Sequence, residues 1–262
     1  MAVAQVGDCR LHYIDIGQGP ALVLLHGLGG SGFDWEQQIP FFASRYRVIV
    51  PDLRGFGAST RGRGLLTVQR AARDVRQLLD QLGIQHYALV GHSMGGAVAQ
   101  QLALDDAAGV ERLVITNSLP SFRPRRPGHV WEIAYRWLVM AVFGPARLSR
   151  RIAARLYPLP EQAALRERSQ MRGARNSRLS YLMALSSLSC WSVLSRLPQL
   201  SIPVLVLEAE FDYFAHADIA HFAQVLPQVE MVSVRDAHHA LPSEQPETFN
   251  ARVDAFLRGA AA

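Results

Sequence analysis

Not one lysine occurs in the 262 residues, and all 27 basic positions are arginine. This excludes a P-loop, whose GxxxxGK[ST] pattern needs a lysine to reach the phosphates. Cysteine is nearly absent as well. Cys9 and Cys190 are far apart and fit no metal-ligand spacing, so a reduced, cytoplasmic setting is expected. No run of eighteen or more apolar residues marks a membrane-spanning helix. The first residues lack a charged segment followed by an apolar one, so no secretory signal is expected. No nucleic-acid recognition motif is present. His238 and His239 are adjacent, without the spacing of a zinc-binding helical pair, so neither a metal nor another cofactor is expected.

What is present begins with Gly91-His92-Ser93-Met94-Gly95, which follows the apolar run Tyr87-Ala88-Leu89-Val90. A strand delivers a serine onto a tight turn, and a helix starting near Gly96 carries the chain away. That strand–turn–helix context is what G-x-S-x-G needs to place a nucleophile. A serine hydroxyl is a poor nucleophile alone; it needs a base, and the base needs an orienting acid. Both partners are available in the last third of the chain. Residues 203–207 read as a buried strand, and Glu208-Ala209-Glu210-Phe211-Asp212 lies just past it. Residues 229–234 make another strand, with His238-His239 in the loop that follows.

Together these landmarks resemble the α/β-hydrolase superfamily, in particular its lid-bearing serine esterases. The resemblance is carried by Leu24-Leu25-His26-Gly27, by Pro51-Asp52-Leu53-Arg54-Gly55-Phe56-Gly57-Ala58-Ser59, by Gly91 to Gly96, and by Glu244-Gln245-Pro246-Glu247. It implies a Ser-acid-His order with Ser93 as nucleophile. His239, five positions before Glu244, matches the family's base. His238 stands where the family prefers glycine and reads as a solvated loop histidine. Asp212 is the favoured acid and Glu210 the runner-up. The oxyanion donors implied are the amides of Met94 and Leu28, the latter in the loop His26-Gly27-Leu28-Gly29-Gly30-Ser31-Gly32. His26 is expected to brace that loop. A serine at 93 argues against epoxide hydrolase and haloalkane dehalogenase chemistry, which in this superfamily uses an aspartate nucleophile.

Along the chain, a hairpin near residues 3–16 precedes strands at 21–25 and 47–50, with a helix around 35–44 between them. An amphipathic helix spans about 67–82, with Val68, Ala71, Ala72, Val75, Leu78, Leu79 and Leu82 on one face. After the elbow come a helix, a strand at 110–116 and, beyond an interruption, strand 203–207, helix 217–225, strand 229–234 and helix 244–257. Alternating strands and helices argue a mostly parallel central sheet with helices on both faces. No internal repeat is visible. The expected organisation is an α/β-hydrolase core of residues 1–118 and 199–262, with a helical lid inserted at 119–198.

That insertion has no clear strand and four helical patterns. Residues 130–143 are apolar almost all round, a pattern that wants burial on more than one side. Trp131, Tyr135, Met140, Tyr181 and Trp191 are candidates for an acyl pocket, with Trp137, Phe143 and Met183 beside them. The insertion is also basic. Residues 119–198 hold 14 arginines against 3 acids, a balance of +11, whereas the rest of the chain stands at −6. Base composition can account for arginine in place of lysine, but not for where the arginines gather. Arg147, Arg150, Arg151 and Arg155 are candidates to bind an anionic carrier: an acyl carrier protein, coenzyme A, or an anionic membrane surface contacted peripherally.

The expected activity is hydrolysis of a carboxylic ester or thioester, on a small-molecule or carrier-bound acyl chain. The resemblance includes esterases that remove a methyl group from acyl chains held on acyl carrier protein. Other chemistry on the same scaffold stays open: carbon–carbon bond hydrolysis, lactone opening, cofactor-free perhydrolysis. So does a small-molecule receptor with a slow triad.

Overall fold

Every residue of the strands Ala21–Leu25 and Val204–Ala209 is buried, as a strand covered on both faces requires. The computed structural model describes residues 2–259; Met1 and residues 260–262, counted in the expected core, lie outside them. Eight strands form one sheet: β1 (Ala2–Val6), β2 (Cys9–Ile16), β3 (Ala21–Leu25), β4 (Arg47–Pro51), β5 (Tyr87–His92), β6 (Val110–Thr116), β7 (Val204–Ala209) and β8 (Val229–Val234). Their order is β1-β2-β4-β3-β5-β6-β7-β8. β2 runs antiparallel to both β1 and β4; from β4 to β8 the sheet is parallel. The order reverses between β3 and β5, where Leu25 pairs with Gly91. Open sheets of this kind bind ligands outside the carboxyl ends of the strands at such a reversal.

The helices are α1 (Gln38–Phe42), α2 (Val68–Gln81), α3 (Met94–Asp105), α4 (Pro127–Phe143), α5 (Pro145–Leu156), α6 (Ala163–Gly173), α7 (Arg178–Cys190), α8 (His216–Ala223), α9 (Leu241–Glu244) and α10 (Pro246–Leu257). Alternate residues of one strand enter different cores. Val23 and Leu25 pack with α2 and α3 residues such as Val75 and Val98. Leu22 and Leu24 pack with Phe42, Phe249 and Val253 of α1 and α10. α2 starts where Thr67 accepts a hydrogen bond from the Arg70 amide, a cap made by its side chain.

Two expected helices are shorter than the sequence pattern suggests, and proline is the reason. The helix expected over 35–44 is a single 3-10 turn, Gly32–Trp35, followed by α1. Pro40 is tolerated in the first turn of α1, but its ring would clash with a helical carbonyl four residues back. The helix expected from 244 starts at Pro246, which occupies the first position of α10.

The segment between β6 and β7 contains α4 to α7, and the strand content expected to be missing is limited to one isolated bridge, Ser121 to Ser192. The helix expected over 180–194 stops at Cys190 and resumes as a 3-10 turn at Leu194–Gln199. α4 corrects an expectation. It packs chiefly on α5 and α7, so its opposite face has nothing to bury against. Val130, Trp131, Leu138, Val142 and Phe143 are each more than half exposed there.

Candidate active site

The turn after β5 is built by steric necessity. Ser93 sits at φ 53°, in the left-handed region a side-chain-bearing residue avoids. A Cβ on Gly91 would come within 2.4 Å of the Gly95 carbonyl oxygen, and one on Gly95 within 2.1 Å of the Leu25 carbonyl oxygen. Only glycine fits at either place. The strained serine is pinned from both sides: its amide donates to the Thr116 carbonyl (3.1 Å), and the Ser118 hydroxyl donates to its carbonyl (2.7 Å).

Past the end of β7, the Asp212 carboxylate faces the His239 ring. Nδ1 of His239 lies 2.8 Å from Oδ1 of Asp212, and both side chains are almost wholly buried. Facing a carboxylate, Nδ1 carries the proton and leaves Nε2 as the free acceptor. Asn117 Nδ2 donates to the other carboxylate oxygen at 2.5 Å, and the Phe214 amide donates to Oδ1 at 3.2 Å. Burial alone would raise the Asp212 carboxyl; the His239 charge and these hydrogen bonds outweigh it and hold the group below its ordinary value. Glu210 is placed elsewhere, exposed and accepting from the Asp236 amide. The structure thus brings Asp212, and not Glu210, to His239.

The register of the histidine loop has a visible cause. Glu244, nearly buried, accepts from the His238 amide and pairs with His238 Nδ1 at 2.7 Å. His238 is therefore not the solvated histidine expected from sequence. Its partner also accepts from Gln162 at 2.5 Å, which ties the loop to the helical insertion. His92 Nε2 lies 2.7 Å from the His239 carbonyl and holds the next residue of the loop.

The loop after β3 is braced from beneath. The Leu53 amide donates to Nε2 of buried His26 (2.9 Å), so Nδ1 is the protonated nitrogen, and it donates to the Gly27 carbonyl (2.8 Å). Asp52 accepts from the amides of Gly32 and Ala58. Arg54 forms a two-pronged, buried pair with Asp74 at 2.6 and 2.7 Å. The Pro51-to-Ser59 segment is thus the scaffold under the His26-to-Gly32 loop. Among the described residues, neither the Leu28 nor the Met94 amide donates a hydrogen bond to the protein.

Ser93, His239, His92, Gly27 and Leu28 share a cavity of about 300 Å³ with residues of the helical insertion. Met140 and Tyr181 line it. Trp131, Tyr135 and Trp191 do not. Trp131 projects outward from α4; Tyr135 lies under the Arg151 guanidinium, 4.1 Å away; Trp191 is buried, donating to Gln101. The arginines do not form one outer face. Arg136, Arg168 and Arg172 line the cavity, while Arg147, Arg150, Arg151 and Arg155 are exposed on α5. Arg155 is committed to Glu132 at 2.9 Å.

Sequence reasoning missed Asn117, Tyr213 and Arg136. Tyr213 stacks on the His239 ring with centroids 3.8 Å apart. Its only advance signal was adjacency to Asp212. Asn117 stands at a strand's carboxyl end with φ 47°, a backbone state that asparagine tolerates better than most residues. Among the described residues no group of three or more His, Cys, Asp or Glu side chains is arranged to hold a metal ion, and no helix is long and apolar enough to cross a membrane.

Residues 20–246 match the alpha/beta hydrolase fold family. A soluble epoxide hydrolase from Corynebacterium sp. (strain C12) is 40% identical over 117 residues, covering 45% of this chain and 41% of that protein, so the chain matches less than half of that relative's length. The 3-oxoadipate enol-lactonase 2 of Acinetobacter baylyi is 28% identical over 256 residues, covering 96% of this chain and 94% of that protein. Among solved structures, a thermophilic esterase from Thermogutta terrifontis, with malate bound, superimposes with a TM-score of 0.88 at 28% identity, covering 98% of this chain and 96% of that one. The chain belongs to the alpha/beta hydrolase fold family, and these relatives are hydrolases.

Proposed function

We propose that the protein is a serine hydrolase of carboxylic esters or thioesters, with Ser93 as nucleophile, His239 as base and Asp212 as the acid that orients it. The observation that carries this reading is the buried His239–Asp212 pair on the wall of the same cavity onto which the strained Ser93 opens.

In this reading the Ser93 hydroxyl attacks the substrate carbonyl carbon and passes its proton to His239 Nε2. Asp212 holds the tautomer with Nδ1–H and stabilises the imidazolium. The developing oxyanion accepts from the Leu28 and Met94 amides, which are otherwise unspent; such donors often supply the largest single part of the rate enhancement. The leaving alcohol or thiol departs with the His239 proton. Water, deprotonated by the same histidine, then cleaves the acyl-enzyme and restores Ser93. A lactone would open by the same steps with its leaving group still tethered. An epoxide would not, because its opening in this superfamily uses an aspartate where Ser93 stands.

Residues 119–198 act as a lid whose inner side completes the substrate cavity. Arg147 and Arg150, exposed on α5 near the apolar outer face of α4, support presentation of the acyl group by a polyanionic carrier or an anionic membrane surface. Unpaired Cys9 and Cys190 fit a reduced, cytoplasmic setting.

The reading is tested with a fluorophosphonate probe and a series of neutral methyl and p-nitrophenyl esters. Wild type should be labelled at Ser93 and turn over the series. Ser93→Ala should lose labelling and about 10³-fold or more in kcat while melting like wild type. Labelling at another serine would overturn the assignment.

A further inference from the structure

We propose that the cavity contains a carboxylate-recognition subsite formed by Arg136 and Tyr181, so that the preferred ester carries a second, free carboxylate. The proposal rests on the serine-hydrolase reading and adds the substrate's chemical class.

α4 turns one stripe inward. His129, Ile133, Arg136 and Met140 line the cavity, at helical spacings of four, three and four. Two tryptophans of the same helix, Trp131 and Trp137, are left outside with 72% and 47% of their surface exposed. An apolar-rich helix that turns an arginine inward and tryptophans outward reverses the arrangement that apolar burial alone would select.

The guanidinium is only partly satisfied. Its Nε donates to Glu132 Oε1 at 2.7 Å, and the side chain is 15% exposed. Among the described residues, Nη1 and Nη2 donate to no carboxylate or carbonyl. The Tyr181 hydroxyl is buried without a hydrogen bond of normal geometry, and Arg136 is the group that bears on it. Tyr181 lies within the field of this arginine: burial pushes its phenol up, and the Arg136 charge opposes the rise. A buried donor left unpaired is destabilising, and more so when charged. The two guanidinium nitrogens reach no carboxylate or carbonyl of the protein, and the Tyr181 hydroxyl beside them can donate, so a carboxylate can supply two oxygens to accept from this set.

Charge decides in favour of an anion. Glu132 is shared, since Arg155 also donates to it at 2.9 Å. Arg151 also lies within its field, so the guanidinium groups outnumber the carboxylate and the cluster is left positive. The cluster is close to the chemistry. The Tyr213 ring stacks on His239, and the Arg136 and Arg155 Cζ atoms lie 5.9 and 5.0 Å from its centroid. One tyrosine ring therefore separates the proposed base from the proposed anion site, and a short dicarboxylate half-ester spans that separation.

The test compares monomethyl succinate, glutarate and adipate with neutral methyl esters of matched length, following methanol release. Wild type should favour the best half-ester over its neutral counterpart by about 30-fold or more in kcat/KM, expressed mainly in KM, as expected for a buried hydrogen-bonded ion pair. Arg136→Gln should bring that ratio to near one. Arg136→Lys should retain part of it, and Tyr181→Phe, which removes only the buried hydroxyl, should lower it severalfold. Arg252→Gln, exposed on α10 and outside the cavity, should leave the ratio unchanged. Free glutarate or adipate should inhibit wild type competitively and raise its melting temperature, and Arg136→Gln should lose both effects. If fluorophosphonate labels Ser93 and neutral esters turn over, but no half-ester is preferred, the subsite is wrong and the hydrolase reading stands. If Ser93 is unlabelled and no ester is hydrolysed, the hydrolase reading fails, and dicarboxylate binding that ignores Arg136→Gln overturns the subsite too.

Discussion

Asn117 donates to the one Asp212 oxygen that His239 leaves free, across ninety-five residues of sequence. The aspartate is thereby gripped from two sides, and its plane is set by a side chain that never approaches the cavity's reacting groups. Asn117→Ala should release that oxygen. The expected outcome is a fall in kcat of about 10-fold with KM little changed, because Asp212 loses orientation and not charge. Asn117→Asp should be worse, since it places a second carboxylate against the first. Steady-state kinetics on a neutral ester, with the alanine and aspartate variants side by side, checks both.

The two adjacent histidines should behave oppositely. His239→Ala should lose about 10³-fold or more in kcat, since triad members fail as a unit. His238→Ala should keep activity within about 10-fold of wild type, because the His238 amide still donates to Glu244. It should lose about 1–3 kcal/mol of stability as the carboxylate of Glu244 gives up one partner. Kinetics and urea unfolding on both variants separate them; the opposite ranking would mean the register of the loop is displaced by one residue.

Arg54 and Asp74 form a bidentate pair with side chains 3% and 7% exposed. Burial pushes the Asp74 carboxyl up, and the guanidinium opposes it. Removing one partner leaves the other charge stranded, so Arg54→Ala should cost about 3–5 kcal/mol in urea unfolding. Replacing both with apolar residues, Arg54→Met with Asp74→Leu, should cost less than the single change.

His92 makes stability depend on pH. Burial first, and then the neighbouring His239 charge, push its imidazole down to about 3. The unfolded chain takes up a proton at this residue near pH 6.5, as an ordinary histidine does. The stability that neutral His92 confers is therefore complete above about pH 6.5 and falls as pH drops from there towards 3. Between pH 7.5 and 5 wild type should lose about 1–2 kcal/mol that His92→Gln does not lose. Urea unfolding of both proteins at the two pH values measures the difference directly.

Arg147 and Arg150 can be reversed to glutamate without touching the cavity. Arg151 and Arg155 are unsuitable, because they lie against Tyr135 and Tyr213. The double reversal should raise KM for an acyl-carrier-protein or coenzyme A thioester and flatten its dependence on salt, since such attraction is screened over about 8 Å at physiological ionic strength. Turnover of a small neutral ester should change little. Equal losses on carrier-bound and free substrates would make the two arginines structural.

Much of the site was legible because its signals are local. The elbow is five consecutive residues, and the steric reason for its glycines is contained in the turn itself. Asp212 and His239 could be placed because each follows a strand whose apolar run is unmistakable, and strand ends in a parallel sheet collect along one edge. The resemblance to the family, through the position of Glu244, pointed to His239 over His238, and the fold pairs His239 with Asp212 while Glu244 holds His238.

What the chain alone determined is therefore the succession of its strands and helices, the elbow and the edge where chemistry-bearing residues gather. All of these depend on backbone sterics and short-range patterning. The tertiary structure decided the rest. α4 is apolar almost all round, so its pattern carries no preferred inward face. In the fold α4 buries Val139 and Met140 against α5 and α7, and Glu132 joins Arg136 on its own helix to Arg155 on α5. An arginine then faces the cavity and two tryptophans face solvent. Periodicity cannot show such an arrangement, because its energy lies in partners that are distant in sequence.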